Sequence, residues 1–91
     1  MDDGRRGERP AWWDWELQVS SHVRERMVER EFSEMDVRCM LDAAIRLQRD
    51  RELGRWAVLT SHESRPWKVI VEPDTIDRLL VVITAFPIDP T

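Results

Sequence analysis

Ninety-one residues with a formal net charge of −4 fit one domain, whose core is thin for its surface. A single cysteine excludes an internal disulfide and a cysteine-based zinc cluster, and no apolar run approaches a membrane span. The negative charge argues against a generic nucleic-acid binder, which carries a basic stripe. The charged N-terminus lacks the apolar run of a secretory signal, so the cytoplasm is the expected compartment.

Residues 1–13 are rich in charge, Gly and Pro and predict a disordered or loosely docked leader ahead of a single domain over 14–91. Trp12, Trp13 and Trp15 are costly to leave in water; they either cap the core, bind another protein or stack on bases. Trp15, Leu17 and Val19 alternate with polar residues as in a short strand. Ser20 or Ser21 offers an N-cap for a helix to Glu31, with Val19, Val23 and Met27 as its apolar stripe. Ser33 and Asp36 resemble a capping box, and Val37, Met40, Leu41, Ala44 and Leu47 then follow helical spacing to about Arg49. After Gly54 come three strand-like runs, RWAVLT, WKVIVE and RLLVVITAF, joined by short connections that imply antiparallel pairing. The last run is the most apolar and is expected at the centre of the sheet. The predicted fold is α+β: two N-terminal helices packed on a three-stranded antiparallel meander, with room for a short strand before the helices.

On the first helix His22, Arg26 and Arg30 recur every four residues and so line one face, beside the apolar stripe. Metal-independent RNA cleavage needs a base, an acid and cations for the phosphorane charge, and arginine adds a bidentate fork for phosphate oxygens. The same spacing describes an ordinary solvated face, with Glu29 placed to pair with Arg26. His62 falls in the first hairpin, where an exposed role competes with that of a second acid–base group. Cys39 is expected as a small buried hydrophobe.

SSHVRERMVEREFSEMDV resembles the opening of a bacterial family, domain of unknown function 4258. That family's helix is marked His-x3-Arg-x3-Arg and leads into a second helix. RWAVLT, WKVIVE and VVITAF are similar to its three strands, so the likeness runs from about Leu17 to Ile88. The family is thought to be related to the RelE, ParE and BrnT toxins and the barnase–EndoU–colicin ribonuclease fold. The resemblance implies a helix pair on a sheet whose open side cleaves RNA. His22, Arg26 and Arg30 match its helix motif, and Thr84 matches the polar residue of its last strand. Arg65, in the hairpin, is a candidate for substrate binding with no motif behind it.

The expected function is a toxin-like, metal-independent endoribonuclease. His22 would act as base, Arg26 and Arg30 would hold the scissile phosphate, and Thr84 would orient a phosphate oxygen or His22. The expected partners are RNA and a cognate antitoxin or other protein, with no membrane and no cofactor. The alternative is a non-catalytic protein-interaction module of the same fold. Between Ser20 and Phe86 eleven basic residues face twelve acidic ones, a departure from the basic RelE-like toxins that favours the alternative.

Overall fold

A computed structural model describes residues 9–88. The first eight residues of the expected leader therefore lie outside the described residues. Ala11–Asp14 form a 3-10 turn and lead into strand β1, Glu16–Val19. Helix α1 spans Ser21–Arg30; the Ser20 hydroxyl caps it by accepting from the Val23 amide, and Glu31 ends it in the left-handed region. Helix α2 spans Glu34–Asp42 behind a complete Ser33–Asp36 capping box. Four strands follow: β2 Arg46–Arg49, β3 Trp56–His62, β4 Arg65–Asp74 and β5 Leu79–Pro87.

The strands form one mixed sheet in the order β1-β5-β4-β3-β2. This corrects the expected three-stranded meander. The antiparallel β3-β4-β5 run is only its interior, β1 pairs parallel with β5, and β2 adds an antiparallel edge on β3. It also places β4, not β5, at the centre. The second helix stops at Asp42, seven residues short of expectation. An acidic residue at a helix C-terminus meets the wrong end of the dipole, and the Ile45 amide bonds instead to the Leu59 carbonyl 2.7 Å away, starting the edge strand. Leu47 fits both a helical period and the Arg46–Leu47–Gln48 alternation, and the unpaired edge of β3 selects the second.

Both helices pack on one face of the sheet. Val23, Val37, Met40 and Leu41 meet Val58, Trp67, Val69, Val71, Leu80, Val82 and Ala85 in a single cluster. Trp13 joins it, buried to 4% exposure, with Trp12 tilted between it and Trp56 at ring distances of 5.7 and 5.9 Å. Arg9 lies over Trp13 and Arg49 over Trp56, so guanidiniums cap both ends of this aromatic ladder. The tryptophans near the N-terminus thus close the core. Cys39 departs from expectation and is exposed on α2. Thr60 is the one buried polar residue described, and its hydroxyl donates to the Met40 carbonyl. Thr60→Val keeps the shape but removes one of two donors to that carbonyl, which the Ala43 amide also reaches at 3.2 Å. A loss of about 0.5–1.5 kcal/mol is expected in urea denaturation. Among the described residues no helix is long and apolar enough to cross a membrane.

The β3–β4 hairpin closes through two residues, Glu63 and Ser64, with His62 paired to Arg65. Both loop residues have positive φ, 52° and 66°, the geometry for which Asn-Gly is preferred. A left-handed non-glycine residue costs roughly 1–2 kcal/mol. Ser64→Gly together with Glu63→Asn should therefore raise the melting temperature by about 4–8 °C or more.

Candidate functional site

Val23, fully buried, fixes the rotation of α1 about its axis, and the neighbouring residues follow. His22 is exposed and makes no side-chain hydrogen bond or ion pair among the described residues. Arg26 is held by Glu29, 2.8 Å away. Arg30 donates to the Ala85 carbonyl at 2.9 Å, and the topology supplies the reason. Strand β1 ends at Val19, opposite Val82, so among the described residues the rest of β5 has no strand on that side, and Arg30 bonds to one of its carbonyls.

Thr84 is the residue before Ala85, yet it lies on the other face of the sheet. Leu80 and Val82 point into the helix-side core, and unbroken alternation would put Thr84 there too. The β4–β5 register shifts between Ile70 and Val71: Ile70 opposes Thr84, whereas Val71 opposes Val82. Ile83 is the extra residue of a β-bulge, which inverts the alternation so that Ala85 enters the core and Thr84 turns outward. The expected hollow shared by His22, Arg26, Arg30 and Thr84 is therefore not formed. Arg30 reaches the strand beside Thr84, but its guanidinium is occupied by backbone. Arg65 stands at the exposed start of β4, away from the His22 end of α1. His62 is not simply exposed; its ring rests edge-on against Trp67 at 5.3 Å, and Phe32 meets the same indole in a second edge contact.

The open face follows from the register. Arg46, Leu59, Lys68 and Phe86 lie abreast across β2, β3, β4 and β5. Gln48, Ala57, Ile70 and Thr84 form the next row, and Glu72, Val81 and Gln18 part of the one after. Asp74, Leu79 and Glu16 lie beyond. Ala57 and Ile70 are buried but stand outside the helix-side cluster, while Leu59, Val81, Ile83 and Phe86 are half-buried. The middle of this face is thus apolar, with Lys68 and Arg46 toward one end and Glu72, Asp74 and Glu16 toward the other. Arg55 bonds to Glu72 through Nε at 3.0 Å, and this carboxylate with its neighbours raises the guanidinium's pKa further. Near the acidic end a hollow of about 390 Å³ is lined by Glu72, Pro73, Asp74, Thr75, Ile76, Val81 and Ile83. Among the described residues no group of three or more His, Cys, Asp or Glu is placed to hold a metal ion.

The sequence signal for this face is the near-continuous apolar character of VIV in β4 and LLVVI in β5. A strand with one wet face alternates; a run apolar at every position marks both faces for burial.

Residues 19–87 match the model of a family described as Domain of unknown function (DUF4258). The chain belongs to this family. The DUF4258 span takes in both helices and strands β2 to β5, and it leaves Trp12, Trp13, Trp15 and most of β1 outside. No curated protein and no solved structure matches the chain, and nothing in these comparisons links it to the RelE, ParE or BrnT toxins.

Proposed function

We propose that this DUF4258 protein is a non-catalytic interaction module that binds a protein through the open face of its sheet. The observation that carries this reading is the apolar centre on that face, Ala57, Leu59, Ile70, Val81, Ile83 and Phe86, where both helices pack on the opposite side. Exposed apolar patches with a polar rim mark association surfaces. The net charge of −4 and the mixed signs around the patch suit a protein more than RNA, whose binding draws on clustered cations. Trp12 and Trp13, the other candidate surface, are committed to the core.

Thr84→Arg tests it. The residue is half-buried at the middle of the face, and its hydroxyl has no hydrogen bond among the described residues. The variant should keep the wild-type melting temperature within about 2 °C, as surface changes do. It should lose every assembly that the wild type forms alone or when expressed with the protein encoded beside it. A wild type that stays monomeric in both settings overturns the reading.

A second reading, the metal-independent endoribonuclease of a toxin–antitoxin system, keeps one supporting observation: the His22 imidazole is exposed and makes no hydrogen bond or ion pair among the described residues. It requires RNA cleavage in EDTA that His22→Ala abolishes. The interaction module predicts no cleavage by either protein.

A further inference from the structure

The open face carries both halves of its own complement. On β4 the outward residues run Lys68, Ile70, Glu72: an ammonium two positions to one side of Ile70 and a carboxylate two positions to the other. Lys68 is half-buried between its cross-strand neighbours Leu59 and Phe86 and has no carboxylate within ion-pair distance among the described residues. Glu72 has Arg55 on one oxygen, and its second oxygen accepts no hydrogen bond among the described residues. The imbalance extends outward, with Arg46 on the Lys68 side and Asp74 and Glu16 on the Glu72 side.

A two-fold axis lying across the strands at the level of Ile70 turns one such face onto another. Rotation about it sends the Lys68 end of one copy over the Glu72 end of the other and leaves Ile70 over Ile70. Phe86 then falls on the apolar side chains of β5 toward the acidic end, Val81 and Ile83, while Leu59 on β3 falls on Arg55 beside Glu72. Two sheets stacked this way, about 10 Å apart and within about 30° of alignment, make a β-sandwich. The arrangement is isologous: each charged contact occurs twice. It also covers the faces of β4 and β5 that are apolar without a helix to bury them.

We infer that the partner docked on the open face is a second copy of this chain, held in a two-fold dimer with Lys68 of each subunit against Glu72 of the other. This inference rests on the docking reading above and names its occupant.

Sedimentation equilibrium of the purified protein, from micromolar to hundreds of micromolar, should give a mass approaching twice the chain's 10.9 kDa. Lys68→Glu sets two carboxylates against each other across the interface, and Glu72→Lys sets two ammoniums. Each should weaken self-association about tenfold or more. Mixed in equal amounts, the two variants regain opposite charges at both contacts, so a heterodimer should form at near wild-type affinity. That recovery separates an interface effect from a folding defect. Thr84→Arg, with circular dichroism to confirm its fold, gives an independent loss at the centre of the face. The inference is overturned by a wild type that is monomeric throughout, by a dimer indifferent to Lys68→Glu, or by a mixture that stays monomeric. A monomer that still binds a neighbour-encoded protein in a Thr84→Arg-sensitive way ends the homodimer and leaves the docking reading standing.

Discussion

Trp13→Ala is expected to cost about 3–5 kcal/mol, the range for removing a buried aromatic. A chain of this size has roughly 5–14 kcal/mol in all, so one substitution would consume a large share. The melting temperature should fall by more than about 12 °C. The ring earns this effect by position: it is 4% exposed, within the core cluster, with Trp12 on one side and Arg9 over its face. Its indole nitrogen is buried without a hydrogen-bond partner among the described residues. An orphaned donor costs about 1–3 kcal/mol, and Trp13→Phe removes it while keeping much of the apolar ring. The Phe variant should therefore lose far less than the Ala variant. Urea denaturation of both settles the matter. If Ala and Phe each fall within about 0.5 kcal/mol of wild type, the segment is not part of the core.

Local features were legible because their causes are local. Ser20 as an N-cap, the Ser33–Asp36 box and the three long strands are written in adjacent residues, and each needs no knowledge of distant chain. The errors sit where a distant partner decides. Leu47 satisfies two periods, and the edge of β3, eleven residues further on at Val58, selects the extended one. The parallel pairing of β1 with β5 joins residues more than sixty positions apart, and four residues of alternation cannot announce it. The charge and Pro content of the leader obscured Trp13, whose burial depends on Trp12, Trp56 and Arg9 arriving together. At the candidate site the helical spacing of His22, Arg26 and Arg30 was legible, but its relation to Thr84 was not. One bulge residue, Ile83, reverses which face Thr84 takes, and a one-residue slip in a strand moves every later side chain across the sheet. Nothing in LLVVITAF marks where that extra residue falls.

Arg38→Met should produce the other large loss, about 2–4 kcal/mol in urea denaturation. From α2 the guanidinium donates to the Trp13 carbonyl at 2.8 Å and to the Trp15 carbonyl at 2.7 Å, clamping the segment that leads into β1. Hydrogen bonds from a charged donor contribute about 1.5–3 kcal/mol each, and Arg38 is only half-buried, which tempers the pair. Met keeps the aliphatic stem in place and leaves both carbonyls without their donor. Lys offers one compact charge in place of a planar fork, so Arg38→Lys should recover only part of the loss. Amides of residues 16–19 should lose hydrogen-exchange protection before those of β3 and β4, because the clamp holds an edge strand whose other ladder partner is β5 alone. The double variant Trp13→Ala/Arg38→Met should fall short of the sum of its parts, since either change alone frees the same segment and leaves less for the second to break. Strict additivity would mean that the indole and the guanidinium stabilise separate units, and that β1 docks without help from the tryptophan before it.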